Sequence, residues 1–398
     1  MSNFLPSVPF LVDVAATESQ PLCERLDALR AARYESADLT LLEGPVAHVD
    51  IDRLRDVPAG RFDTSIGSAH FACFYRANDE RPHEYLYVVL DLMRTDDAIA
   101  HGPLPSFPKW SWHTHLAGDL LCIEDPLYFD SDIPVGWFYG TETEDYRAYV
   151  ARLVEAVADA TGVPHNRIIF SSLSAGGSAS IFAAAHLPGS CAVALNPQLD
   201  LTRFIPRCID DFARCTGIDL RAAKECDERA RIDAAAAIER APHTRFLIVE
   251  NCRSAMDFDE QLLPLCAQLG IEPRYGLTQQ GNVALWTVDV PTKHPHVMLE
   301  SKTLSHALDF LAKELLASHD LTPYQGLYTL IGELWHDSAR ALTDLAANPR
   351  PLDPLAQLYE TLAEGVCEPH ATCARESSSA RSAQARRTPP RGSHRQCR

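Results

Sequence analysis

Residues 167–177 read RIIFSSLSAGG, where a short apolar run passes directly into small residues and then into the helix-forming stretch SASIFAAAHL. A buried strand that turns sharply into a helix is the setting of a nucleophile elbow, whose usual pattern is G-x-S-x-G. Ser174 stands at the tip, Gly176 follows two residues later, and Ser172 replaces the first glycine. The alternative is a plain strand–helix connection. A phosphate-binding loop is disfavoured, because the segment has neither G-x-G-x-x-G spacing nor a following Gly-Lys-Ser/Thr.

The length and composition are those of a globular protein. The chain has 398 residues, of which 46% are hydrophobic, enough for one large domain with additions or for two domains. No apolar stretch approaches the roughly 20 residues that cross a bilayer. The first 20 residues lack a basic start and a long apolar run, so we expect no signal peptide and a cytoplasmic protein.

The charge disfavours nucleic acid as a partner. The net charge is −18, whereas phosphate backbones attract basic surfaces. The twelve cysteines form no C-x-x-C pair and have no histidines at zinc spacing, so we predict buried reduced thiols and no metal site. No cofactor is predicted.

Strands and helices are predicted to alternate along most of the chain. Residues 1–80 are predicted as a small β-rich N-terminal region or as the first strands of the main sheet, with strands over 39–51 and 70–76. The buried apolar run 85–92 then begins an alternation that predicts an α/β fold with a mainly parallel, doubly wound sheet. We assign 81–318 to a catalytic domain with a helical lid insertion at 199–243, and 319–366 to C-terminal helices. The basic Ser/Arg/Ala-rich segment 367–398 is predicted to be disordered.

A reactive serine needs a base and an orienting carboxylate, and in α/β-hydrolases they follow in the order Ser, acid, His. His294 is the first candidate base and His296 the second, because both follow the last predicted strand. Asp257 is the first candidate acid, in the loop after strand 245–249. Glu250 at that strand's end and Asp200 after the preceding strand are the alternatives.

An oxyanion hole would take its first donor from the backbone N–H of Ala175, the residue after the nucleophile. The second donor would come from the loop after strand 85–92. Met93 and Arg94 are the expected positions, since no HGGG-type motif occurs there.

Several segments carry a resemblance to a known family. They are PSFPKWSW (105–112), IEDPLYF (123–129), GWFYG (136–140), SSLSAGG (171–177) and LNPQLDL (195–201). Across about residues 70–317 the chain resembles the α/β-hydrolase superfamily. Within it, the chain resembles a bacterial group linked to surface-glycan biosynthesis and accessory secretion, similar to proteins with a Ser-Asp-His triad, some of which handle acyl groups on sugars.

This resemblance implies Ser174 as the nucleophile and a carboxylate soon after Asn251. The chain departs from the pattern at Ser254, where an Asp is expected, and at Lys293, where a Gly usually precedes the last histidine. The first functional hypothesis is a serine hydrolase or acyltransferase that acts on an ester or an acylated sugar. The second is a catalytically decayed scaffold with a protein partner in a glycan or secretion pathway. A nucleotide-binding module is the third.

Overall fold

Ten strands form a single sheet in the part of the chain that the computed structural model describes. This part is residues 39–347, except 103, 108, 115, 225, 226, 293, 294 and 297–301. The strands are β1 Ala47–His48, β2 Gly60–Ile66, β3 Ala69–Arg76, β4 Leu86–Leu90, β5 Asp119–Ile123, β6 Ile168–Leu173, β7 Cys191–Leu195, β8 Arg245–Asn251, β9 Gly276–Gln280 and β10 Val283–Val288. The predicted disordered segment 367–398 lies outside the described residues.

The sheet is mainly parallel, in the order β1-β2-β3-β5-β4-β6-β7-β8-β10-β9. The central strands β5, β4, β6, β7, β8 and β10 are parallel and almost entirely buried, which their continuous apolar runs predicted. At the two sides of this parallel group, β3 pairs antiparallel with β5 and β9 pairs antiparallel with β10. The predicted α/β-hydrolase-like fold is therefore confirmed.

Helices cover both faces of this sheet. Eleven lie in the described part: α1 Leu39–Glu43, α2 Asp96–His101, α3 Tyr146–Thr161, α4 Ser174–Ala185, α5 Pro206–Thr216, α6 Leu220–Lys224, α7 Ala234–Glu239, α8 Ala255–Asp257, α9 Leu263–Leu269, α10 Lys302–Ala317 and α11 Gln325–Ala347. A π-helical turn, Phe258–Leu262, joins α8 to α9. Apolar residues of α3, α4, α7 and α9 pack into one core, and those of α10 and α11 into the other, so each sheet face is shielded from water.

The N-terminal strands belong to the main sheet. β2 pairs with β3, and β3 pairs with β5, so this part is continuous with the rest of the sheet. The predicted strand over 39–51 is wrong over most of its length, because α1 and a 3₁₀ turn at Ile51–Arg53 occupy its two ends. Gly44 and Pro45 interrupt the segment, since proline cannot donate a ladder hydrogen bond.

Helices α5, α6 and α7 form the excursion between β7 and β8, within the range predicted for a lid. In the described part of the chain, no helix combines the length and the apolar character that crossing a membrane requires.

Candidate active site

Ser174 stands at an abrupt junction between β6 and α4. Its backbone is in the left-handed region, with φ of 51°, and the residue is buried, with 6% of its surface exposed. A non-glycine residue in this region is strained, which is a property of nucleophile elbows. The strain turns the serine out of the strand at the carboxyl edge of the parallel sheet, where α/β folds bind ligands.

Close packing beneath Ser174 explains why small residues surround it. A Cβ added to Gly176 would lie 2.4 Å from Ser172 Oγ and 2.5 Å from the carbonyl oxygen of Leu90. Ser172 Oγ donates a hydrogen bond of 2.9 Å to that same carbonyl oxygen. A serine therefore fits where the first glycine of the motif is usual, and it adds a contact between β6 and β4.

A continuous chain of hydrogen bonds links Ser174, His296 and Asp257. Ser174 Oγ lies 2.8 Å from His296 Nε2, and His296 Nδ1 lies 2.8 Å from Asp257 Oδ2. The Asp257 carboxylate is fully buried, while the His296 side chain is 27% exposed. A carboxylate only accepts, so it selects the tautomer with the proton on Nδ1 and leaves Nε2 free to accept from the serine.

The structure thus brings together the predicted serine, the first-choice acid and the second-choice histidine. His294, the first-choice histidine, lies outside the described residues, so its role stays a prediction. Asp200 lies elsewhere: its carboxylate forms ion pairs with Lys224 and Arg203 and caps the turn Leu201–Arg203.

Glu250 is buried, and it forms no ion pair within the described part of the chain. Neither carboxyl oxygen has a hydrogen-bond partner among the described residues. Burial, and then the negative charge of Asp257, raises the pKa of Glu250 well above its ordinary value. Asp257, and not Glu250, is the carboxylate that is hydrogen-bonded to His296.

The carboxylate occurs one helical turn later than the resemblance implies. Ser254 occupies the position where an Asp is expected, and its Oγ donates to Asp257 Oδ2. Asp257 ends α8 and directly precedes the π-helical turn Phe258–Leu262. Such turns inside helices are frequent at functional sites.

Two buried asparagines hold the loop that carries His296. Asn196 Nδ2 donates 2.6 Å to the His296 carbonyl oxygen, and Asn251 Nδ2 donates 3.0 Å to that of Pro295 and 2.9 Å to that of Val290. The two asparagines also bind each other, because the Asn251 N–H donates 3.0 Å to Asn196 Oδ1. Sequence reasoning did not assign them a role. The available signal was an asparagine at the carboxyl end of each of two neighbouring strands.

The backbone N–H groups that were predicted as oxyanion donors differ in their hydrogen bonding. Ala175 is the second residue of α4, where a backbone N–H has no acceptor within the helix. The N–H of Arg94 is already used, since it donates 2.8 Å to the carbonyl oxygen of Pro134. Of the two expected positions for a second donor, Met93 stays a prediction.

Another buried carboxyl group, that of Asp125, shapes the loop beside the site. Asp125 Oδ2 accepts 2.7 Å from the N–H of Phe138, and a Cβ on Gly136 would lie 2.5 Å from the same oxygen. Burial raises the pKa of Asp125 to about 7. The adjacent Trp137, with φ of 50°, is buried and donates from Nε1 to the side chain of Gln198 at 3.1 Å.

The fold of this chain is similar to those of several solved structures. No protein-family model matches the chain, and no curated protein matches it in sequence. The Gap123 glycosylation-associated protein complex of Streptococcus agalactiae is 15% identical, with a TM-score of 0.43, over 66% of this chain and 46% of that chain. The capsule O-acetyltransferase of Neisseria meningitidis serogroup A is 11% identical, with a TM-score of 0.44, over 67% of this chain and 98% of that chain. Acetyl xylan esterase 1 from Thermoanaerobacterium sp. is 14% identical, with a TM-score of 0.42, over 64% and 84%.

Proposed function

We propose that the protein is a serine hydrolase or acyltransferase that forms an acyl-enzyme at Ser174. The observation that carries this proposal is the unbroken hydrogen-bonded chain from Ser174 Oγ through His296 to Asp257. A serine hydroxyl is a weak nucleophile unless a base accepts its proton, and the base needs a third group to orient it. Here His296 is placed to act as the base and Asp257 to orient it, which are the two roles that acyl transfer by a serine requires.

In the first half-reaction Ser174 Oγ bonds to the acyl carbon, its proton passes to His296 Nε2, and the carbonyl π electrons move onto oxygen. The N–H of Ala175 stabilises that oxyanion. The electrons then return, the bond from the acyl carbon to the leaving oxygen breaks, and the leaving alcohol takes the proton from Nε2. Asp257 stays ionised and stabilises the imidazolium.

In the second half-reaction a hydroxyl group takes the place of the serine as the attacking group. It bonds to the acyl carbon and gives its proton to His296, and the bond to Ser174 Oγ breaks as the serine recovers that proton. Water in this role gives hydrolysis, and a sugar hydroxyl gives transfer. The substrate class, an ester or an acylated sugar, rests on the resemblance of segments such as GWFYG and LNPQLDL, and a cytoplasmic location remains a prediction.

The alternative, a decayed scaffold with a protein partner, is based on the departures from the family pattern at positions 172, 254 and 293. Two of the three have a physical explanation that retains the chemistry. Ser172 fits beneath the elbow and binds the Leu90 carbonyl oxygen, and Ser254 donates to Asp257. This supports the enzymatic hypothesis over the scaffold.

A fluorophosphonate probe tests the proposal without knowledge of the natural substrate. We expect the wild-type protein to be labelled at Ser174, and Ser174→Ala to be unlabelled. Ser171→Ala is the matched control, because this neighbouring serine lines a small cavity under α10 and not the site. It should keep the wild-type labelling rate. A folded wild-type protein that does not react would overturn the proposal and favour the scaffold.

Acetyl release then tests the substrate class. We expect hydrolysis of p-nitrophenyl acetate and of an O-acetylated sugar, each reduced at least about a thousandfold in Ser174→Ala. Adding a free sugar as a second acceptor separates the two reactions: transfer yields an acetylated sugar, whereas hydrolysis yields acetate alone. Labelling at Ser174 without turnover of either ester would exclude this substrate class but leave the nucleophile in place.

A further inference from the structure

The side-chain amide of Gln198 lies against the oxygen of the candidate nucleophile. Its Nε2 is 3.1 Å from Ser174 Oγ, and the side chain is fully buried. Gln198 follows β7 at the carboxyl edge of the sheet, so the fold rather than the adjacent sequence brings it to the site. The triad itself does not require this contact.

The orientation of the amide is fixed by its other partners. Trp137 Nε1 lies 3.1 Å from Gln198 Oε1, and an indole nitrogen can only donate, so the amide oxygen faces the tryptophan. The NH₂ group must therefore face Ser174. The Trp137 ring also packs against the rings of Phe204 and Phe212, whose centroids lie 5.8 Å and 5.7 Å away.

The backbone of Gln198 is equally constrained. Its N–H donates 2.7 Å to Ser178 Oγ, and Ser178 Oγ donates 3.1 Å to the Ser174 carbonyl oxygen. The backbone and the side chain of Gln198 are thus both hydrogen-bonded to α4, the helix that begins at Ser174. A donor held in this way needs no rearrangement when charge develops on the oxygen that it faces.

The number of hydrogen bonds that Ser174 Oγ can form limits the role of the Gln198 amide. Ser174 Oγ has one proton and two lone pairs. The proton points to His296 Nε2 and one lone pair accepts from Gln198, which leaves the other lone pair for the acyl carbon. When the proton moves to His296, the negative charge that develops on Oγ is met by the amide N–H.

We infer that Gln198 is a further catalytic residue, a fixed hydrogen-bond donor to Ser174 Oγ that orients the oxygen and stabilises its developing charge during attack. This inference rests on the proposed function, because it assumes that Ser174 is the nucleophile. The amide neither gives nor takes a proton, so no further reactant is needed. Gln198 contributes to the reaction rate and not to the ground-state affinity for substrate.

Two substitutions separate this role from a merely structural one. Gln198→Leu keeps the volume but removes the donor. We expect the second-order rate constant for fluorophosphonate labelling, and kcat for p-nitrophenyl acetate, to fall about 10- to 100-fold with KM within about twofold. Gln198→Glu restores a donor only when the carboxyl is protonated. Its labelling rate relative to wild type should therefore fall as pH rises from 5 to 9, whereas a packing defect would give a constant ratio.

The outcomes distinguish the two proposals. If the wild-type protein is unlabelled, the proposed function fails. If the wild-type protein is labelled and both Gln198 variants react at its rate over the whole pH range, this inference fails while the function stands. If Gln198→Leu does not fold, the pH dependence of Gln198→Glu decides: a falling ratio supports the donor, and a flat ratio overturns it.

Discussion

The substitution Gly176→Ala tests how closely α4 approaches the sheet beneath Ser174. A Cβ at this position would lie 2.4 Å from Ser172 Oγ, 2.5 Å from Leu90 O and 2.8 Å from Asp91 O. The last two are backbone oxygens at the end of a central strand, so no side-chain rotation can relieve the clash. The first turn of α4 must move away from β4, and Ser174 moves with it.

Two opposing effects set the magnitude. Alanine is favoured over glycine in a helix by about 1 kcal/mol. Overpacking in a dense core costs about 1–3 kcal/mol, sometimes more, and contacts this short belong at the upper end. We therefore expect Gly176→Ala to lower the free energy of unfolding by about 2 kcal/mol. In Gly177→Ala the nearest atom, Ser172 O, would be 3.2 Å away, so this control should stay within about 1 kcal/mol of wild type.

Urea unfolding followed by far-UV circular dichroism measures these differences, provided that the m values stay constant. The double variant Ser172→Gly/Gly176→Ala adds a second check. It removes the hydroxyl clash but not the clashes with the two carbonyl oxygens, so a coupling energy of about 0.5–1 kcal/mol is expected. If Gly176→Ala is as stable as Gly177→Ala, the close approach of α4 to β4 does not exist and this reasoning is wrong.

Three further predictions follow from the site and its surroundings. Asp257→Asn removes the charge that holds the His296 tautomer, so fluorophosphonate labelling should slow about 10³- to 10⁴-fold, while the exposed control Asp259→Asn should react like wild type. Asn196→Ala removes the contact to the His296 carbonyl oxygen. This variant should be labelled about 100-fold more slowly than wild type, with an unchanged circular dichroism spectrum. An unchanged labelling rate would mean that the loop carrying His296 keeps its conformation without Asn196. Burial raises the pKa of Asp125 from its ordinary 3.8 to about 7. The protonated carboxyl group therefore contributes its full stability to the fold below pH 3.8, and this contribution is lost as the pH rises to about 7. The free energy of unfolding of Asp125→Asn should therefore depend less on pH between 5 and 7.5 than that of wild type, and parallel urea-unfolding profiles would contradict this.

The central strands were predictable because burial on both faces leaves a continuous apolar run in the sequence. The predicted run 85–92 contains β4, and the predicted strand 245–249 lies within β8. The edge strand β9 was not predicted. Its residues, GLTQQ, have polar side chains in the second half, so the run is neither continuous nor alternating. Its place in the sheet depends on pairing with β10, which is a tertiary contact.

The site was predictable to the level of chain order but not to single residues. The turn around Ser174 has a local signal, since the small residues that the packing needs are adjacent in sequence. The choice between His294 and His296 has none, because both lie in one loop after the last strand. The contacts that present His296 to the serine come from Asn196 and Asn251, which lie 100 and 45 positions earlier in the chain. Gln198 was missed for the same reason.

The candidate nucleophile Ser174 and two residues near it, Trp137 and Asn196, adopt left-handed backbone conformations, with φ of 51°, 50° and 40°. Each such residue destabilises the native state by about 1 kcal/mol or more relative to glycine. A glycine would relieve the strain but would delete the indole donor, the hydroxyl or the amide. Under the proposed function, stability and activity therefore conflict at these positions, because the side chain that activity needs is the one whose replacement by glycine would relieve the strain.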